Sequence, residues 1–269
     1  MRVSLRTGTA CHFDHEYILR LIEALKASGN PFDEVWLATS YGIPSVERVK
    51  KEVQDMAWAA EQFKAAGITP SMQISRTIGH HESALKSFGG EGVLPTFLTV
   101  MSIDGVTCPG VFCWNSPDFR EYVRETLEIY ASWKPEIAWV DDDIRLRLIA
   151  KSKALCFCDN CLALFNEKMG TDYTRETLKP VFYADPTVRE QYINVQRESL
   201  ADFAGVVAKA VTSVSPDTVI GFQNGGNTTM VTDTQKAIID KIIAVSGKAP
   251  TFRAGGGFYD DHKPDGMLT

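Results

Sequence analysis

The sequence predicts an α/β fold of the (β/α)8 TIM-barrel type, incomplete within this chain at about six β/α units. Short apolar runs alternate with longer segments of helical periodicity along all 269 residues, with no linker between them. No G-x-G-x-x-G follows the first strand, which favours a barrel over a dinucleotide-binding fold. The apolar runs end in polar and charged residues, as strands do at the working face of a barrel.

Taken in order, residues 1–7 read as a strand closing on Arg6, Thr7 and Gly8. Residues 15–28 repeat apolar positions at helical spacing and stop at Gly29. A second strand runs from 34 to 39, and Ser45 caps a long helix that Gly67 ends. A third strand covers 68–75. The stretch 81–112 is weakly periodic, with a hairpin turn at Ser102-Ile-Asp-Gly105. Ser116-Pro117 opens a helix through about 132, and a fourth strand covers 136–140. Shorter helical pieces lead to a long helix over roughly 187–213. A fifth strand at 218–222, a helix at 232–245 and a sixth strand at 251–254 complete the series. A closed barrel needs eight strands and six are found. The expectation is one domain over 1–269, truncated before its last two units, with a metal-binding loop insertion at about 147–170. Hydrophobic strand faces exposed at the gap would be a liability, and a partner chain, as in a homo-oligomer, is one way to cover them.

Composition narrows the function. Hydrophobic residues make up 44% and charged residues 23%, ordinary values for a globular protein. A net charge of −6 argues against a nucleic-acid partner or an anionic membrane surface. No run of 18 apolar residues and no signal-peptide pattern is present, so no membrane partner is expected and a cytoplasmic location is favoured.

Three of six cysteines fall in Cys156-Phe-Cys158-Asp-Asn-Cys161. Cysteines this close are poorly placed to bridge each other, and three thiolates brought together suit a soft divalent ion. Zn²⁺ takes four such ligands in a tetrahedron, leaving no position open to water, so the expected role is structural.

Just upstream, Trp139-Val140 runs into Asp141, Asp142 and Asp143, followed by Arg145. The other strand ends carry Arg6, Ser40, Tyr41, Arg76 with His80 and His81, Gln223, Asn224 and Arg253. This polar, hydrogen-bonding set suits a ligand rich in hydroxyls, such as a sugar, and Trp36, Trp114, Trp139, Phe258 and Tyr259 offer stacking faces. An aspartate run after a strand also serves as a solvated turn, and each Trp also serves as core.

These residues resemble the catalytic barrel of glycoside hydrolase family 42 β-galactosidases. That family carries a C-x-C-x-x-C zinc loop after the fourth strand, with a further cysteine in a Cys-aromatic-x-Ser-Pro-x-aromatic-Arg motif. Cys113-Trp114-Asn-Ser116-Pro117-Asp-Phe119-Arg120 fits that motif, and the 103–105 hairpin before it also fits. By resemblance the zinc ligands are Cys113, Cys156, Cys158 and Cys161, with Cys108 competing for the fourth place. The likeness is specific over about residues 100–170. The family ends strand four in Asn-Glu, the Glu being its general acid/base, where this sequence has three aspartates. The resemblance therefore implies Asp142 or Asp143 as proton donor. The family's nucleophile, a Glu on strand seven, would lie past the sixth strand; Asp260 or Asp261 is a weak stand-in.

The expected function is that of a glycoside hydrolase-like protein acting on a carbohydrate. Arg6, Arg76, Asp141, Arg145, Gln223, Asn224 and Arg253 would bind substrate. The alternatives are a non-catalytic carbohydrate-binding barrel, or a metal-dependent isomerase or lyase using the aspartates with His80 and His81.

Overall fold

The computed structural model describes residues 3–8, 11–79, 97–146, 155–223 and 233–253. In chain order its strands are β1 (Ser4–Arg6), β2 (Glu34–Ala38), β3 (Thr69–Ile74), β4 (Thr99–Met101), β5 (Thr107–Phe112), β6 (Ile137–Val140), β7 (Val219–Gln223) and β8 (Thr251–Arg253). Its helices are α1 (His15–Ala27), α2 (Val46–Ala65), α3 (Pro117–Tyr130), α4 (Asp159–Met169), α5 (Arg175–Ala184), α6 (Pro186–Val214) and α7 (Asp233–Ser246).

Six strands form one parallel sheet in the order β1-β2-β3-β6-β7-β8. The antiparallel hairpin β4–β5 is inserted between β3 and α3, around the turn expected at 102–105. Six parallel strands in sequential order with helices between them make an open barrel sheet, as the sequence predicts. Among the described residues, β1 and β8 are its two edges.

Local chemistry explains the helices. Asp14, which the sequence reading passed over, caps α1 by accepting a hydrogen bond from Tyr17 N at 2.8 Å. Ile18, Ile22 and Leu25 then turn one buried stripe toward the sheet, and Gly29 ends the segment at φ +78°. Ser45 caps α2 through Arg48 N as predicted. Ser116 occupies the cap position of α3 without a side-chain bond, and Pro117 supplies the first turn.

The main core lies between sheet and helices. Val35, Leu37, Met72, Ile74, Ala138, Val140 and Ile220 point outward from the strands onto Met56, Phe63, Phe119, Leu127 and Val207. The inner face has its own small cluster of Trp36, Ile137 and Trp139, with Val219 against it. It is buried, so the expected exposure of apolar strand faces is confined to the ends of the sheet. There Val3 is 46% and Phe252 42% exposed, with Leu19 on α1 and Ile243 on α7 also open.

One buried carboxylate ties this architecture together on the helix side. Glu52 of α2 accepts from Ser40 N at 2.6 Å and from the Tyr130 hydroxyl at 2.7 Å, and His12 Nε2 stands 3.2 Å away. Burial pushes its carboxyl up, but His12, Tyr130 and Ser40 outweigh that and hold it below the ordinary value of 4.5. A depressed folded value stabilises the protein above the unfolded value and is lost as pH falls through the folded one. Urea unfolding of wild type and Glu52→Gln should therefore give a stability gap that is widest near neutrality and narrows below pH 4.5. A gap that stays constant with pH would assign Glu52 a packing role only.

Candidate functional site

The strand register stacks the inward side chains in rungs. Ala38, Gln73, Trp139, Gly221 and Thr251 are laterally paired across five strands. Two residues further on, at the C-terminal ends, Asp141 falls level with Gln223 and Arg253, continuing the pairing of Val140 with Phe222. Asp141 N extends the ladder to Ile74 O at 3.2 Å, and Arg253 Nη1 donates to Gln223 Oε1 at 2.9 Å. Asp141, Gln223 and Arg253 thus share one polar row. Arg6 pairs in register with Trp36 on the edge strand and is exposed, one rung below the Gln73 level.

The other two aspartates leave that row. Asp142 is 20% exposed and accepts from Arg145 Nη1 at 3.0 Å. Asp143 is fully buried and accepts from Thr77 N at 2.6 Å, Gly79 N at 2.8 Å and the Thr77 hydroxyl. It holds the loop after β3 against the end of β6. Arg76, in the same loop, donates to Gly110 O and places its guanidinium 5.4 Å from the Phe112 ring centre. Burial pulls its pKa down, with Asp143 acting in the opposite sense. It borders a cavity of about 30 Å³, room for a water, with Thr39, Ser40, Tyr122 and Tyr130. That places Arg76 on the helix side of the sheet, away from the Asp141 row. Asn224, His80, His81, Phe258, Tyr259, Asp260 and Asp261 lie outside the described residues. Trp36 and Trp139 stack on each other with centres 4.6 Å apart, and Trp114 is buried. These three are core side chains, not open stacking faces.

The Sγ atoms of Cys113, Cys156, Cys158 and Cys161 lie within 4.8 Å of one another, all buried. Cys113 comes from the turn before α3, Cys156 and Cys158 from extended chain, and Cys161 from the first turn of α4. Cys113 Sγ is 3.4 Å from Cys158 Sγ and 3.5 Å from Cys161 Sγ. A tetrahedron of bonds near 2.3 Å would put sulfurs about 3.8 Å apart. The four cysteines therefore form a possible metal site, and Cys108 stands outside it. Asn115 donates to two sulfurs, from its N to Cys113 and from Nδ2 to Cys161, each at 3.3 Å. Hydrogen bonds with Cys113, Cys156 and Cys161 lower Cys158, while those with Cys156, Cys158 and Cys161 raise Cys113, and burial raises Cys161. Four buried sulfurs cannot all carry charge by themselves; a cation among them removes the conflict.

The support of this cluster was not legible in the sequence. Along one stripe of α6, the Tyr192 hydroxyl donates to Cys156 O at 2.7 Å and Gln196 Oε1 accepts from Cys156 N at 3.2 Å. Ser199 Oγ accepts from Trp114 Nε1 at 2.9 Å and Asn115 Nδ2 at 3.1 Å. Arg120 donates to Trp114 O at 2.6 Å and Ser199 O at 3.1 Å. The spacing of Tyr192, Gln196 and Ser199 is helical, but only the docked loop reveals what they hold.

No family model matches the chain, and no curated protein sequence matches it. Its fold is similar to that of the cold-adapted β-galactosidase from Rahnella sp. R3, at 15% identity and TM-score 0.53, over 83% of this chain and 36% of that one. The β-galactosidase from the Antarctic haloarchaeon Halorubrum lacusprofundi aligns at 15% identity and TM-score 0.57, over 98% of this chain and 42% of that one. A family 42 β-galactosidase from G. stearothermophilus aligns at 13% identity and TM-score 0.52, over 84% and 36%. Identities this low establish a shared fold. The chain spans well under half the length of each.

Gly221 makes the inner face possible. A Cβ there would lie 2.5 Å from Trp139 Cε3 and 2.9 Å from Ile137 Cγ2. Gly221→Ala should cost about 1–3 kcal/mol through overpacking, measured as a lowered denaturation midpoint. An unchanged midpoint would mean that the indole can move aside freely.

Proposed function

We propose that this chain is a glycoside hydrolase-like barrel acting on a carbohydrate, related to family 42, with a structural zinc ion. The observation that carries the reading is the coincidence of two features on one connection. A row of Asp141, Gln223 and Arg253 ends the inner face of the sheet, and the four-cysteine cluster closes the segment that follows. The row offers acceptors and donors at the end of a barrel where ligands bind.

Asp142 is the better proton donor of the two aspartates proposed for that role. It is partly exposed and close to the row, whereas all three donors around Asp143 use it as an acceptor inside the fold. Arg145 donates to Asp142, and a bound substrate would have to displace that contact for Asp142 to act as proton donor. Asp141, Gln223 and Arg253 hold sugar hydroxyls, and Arg6 and Asn224 are further candidates for that role. A retaining hydrolase needs a second carboxyl about 5–5.5 Å from the first. Protonation of the leaving oxygen by Asp142 is the step this chain would contribute. Hydrolysis of an aryl β-galactoside and of lactose should be compared in wild type and Asp142→Asn. The variant should lose roughly 10²–10⁴-fold in turnover, less on the aryl substrate, whose leaving group needs little protonation. Wild-type protein that binds galactosides without turning them over would instead favour the carbohydrate-binding alternative.

Cys113, Cys156, Cys158 and Cys161 would hold the zinc as four thiolates, and the ion would supply a cross-link between the turn before α3 and the start of α4. Elemental analysis should find about one zinc per chain, lost in Cys158→Ser and retained in Cys108→Ser. Removal should lower the melting temperature. Zinc retained without Cys158 would overturn the ligand set.

A further inference from the structure

The row of Asp141, Gln223 and Arg253 has a floor that its charged residues do not provide. Directly beneath it, β3 turns Gln73 inward, level with Ala38 on one side and Trp139 on the other. Gln73 is 0% exposed, yet neither its Oε1 nor its Nε2 meets a hydrogen-bond partner. In the row above, the Nε2 of Gln223 is likewise buried and unpartnered, its Oε1 being taken by Arg253. A buried amide unpartnered at both ends is uncommon in a folded protein, and a ligand or an ordered water completes it.

We infer that Gln73 is the floor of the ligand pocket and takes a pair of adjacent hydroxyls of a neutral sugar or polyol. Its chemistry selects that class. A carboxamide presents one acceptor and one donor group side by side, and two neighbouring hydroxyls present the complement. A carboxylate or phosphate would want donors only, and the acidic Asp141 one rung above disfavours an anion. Ala38, the small residue paired with Gln73 on one side, crowds the amide little, while Trp139, packed against Gly221, stands on the other side. Hydrogen bonds made in so enclosed a place are stronger than in water. The inference rests on the carbohydrate reading for the identity of the ligand, but the amide's need for a partner does not.

The test uses the full chain and isothermal titration with three probes: D-galactose, methyl β-galactoside and sorbitol. Gln73→Met keeps length and shape and removes both hydrogen-bonding groups; Gln73→Asn keeps the amide and withdraws it. With melting curves near wild type, Gln73→Met should lose about tenfold or more in affinity, the equivalent of 1.4 kcal/mol, for every probe that wild type binds. Gln73→Asn should also weaken binding, and it carries the test if the Met variant does not fold. Galactosides bound as tightly by Gln73→Met as by wild type would overturn the floor and leave the carbohydrate reading standing. Sorbitol bound in a Gln73-dependent way without any galactoside binding would uphold the floor and sink the glycoside reading. No binding of any probe by wild type would overturn both.

Discussion

In a parallel sheet covered on both sides, the pleat assigns each residue to one of two interiors. Here the assignment is strict. Outward positions on β2, β3 and β6 are Val35, Leu37, Met72, Ile74, Ala138 and Val140, which meet the helices. Inward positions are Glu34, Trp36, Ser71, Gln73, Ile137 and Trp139. A slip of one residue would drive Glu34, Ser71 and Gln73 into the aliphatic core and turn the aliphatic set toward the inner face. Fine details follow from the same register. Trp36 and Trp139 come from strands on either side of β3 and meet across it, which the small Ser71 between them permits. Trp139 then needs a neighbour without a side chain, and Gly221 provides it.

Three buried carboxylates show how such a fold accommodates charge. Glu34 accepts from Ser4 Oγ at 2.6 Å and Trp139 Nε1 at 3.0 Å. Glu52 accepts from Ser40 and Tyr130, and Asp143 from Thr77 and Gly79. In each case the donors come from a different chain segment, so the acid staples two elements and its burial is compensated. These acids have structural work, which leaves Asp141 and Asp142 as the aspartates of the fourth barrel strand suited to a ligand.

The cysteine cluster solves a different problem. The chain from 155 to 158 forms no strand or helix of its own. Phe157 N donates to Met101 O of β4 at 2.7 Å, and Tyr192 and Gln196 of α6 take the carbonyl and amide of Cys156. Phe157, stacked 4.5 Å from the Tyr192 ring, leads from there into a second core with Phe165 and Phe182. The cluster thus anchors a satellite layer beside the same strand end that carries the aspartates.

The six strands, their helices and the hairpin were legible in the sequence because each depends on local periodicity, caps and turn residues. The four-cysteine set was legible because close spacing and a motif bring three ligands and a fourth into view. Local pattern could not tell which aspartate is an acceptor inside the fold, because Asp141, Asp142 and Asp143 are chemically alike and the donors to Asp143 sit more than sixty residues away. Nor could it place Arg76 on the helix side or single out Gln73, whose orphaned amide is defined by what surrounds it. By itself the sequence determined the order of elements and the close spacing of the cysteines that form a possible metal site, both encoded in neighbouring residues. The tertiary structure alone decided the role of each polar side chain, since hydrogen-bond partners distant in sequence meet only when parallel strands fix their register.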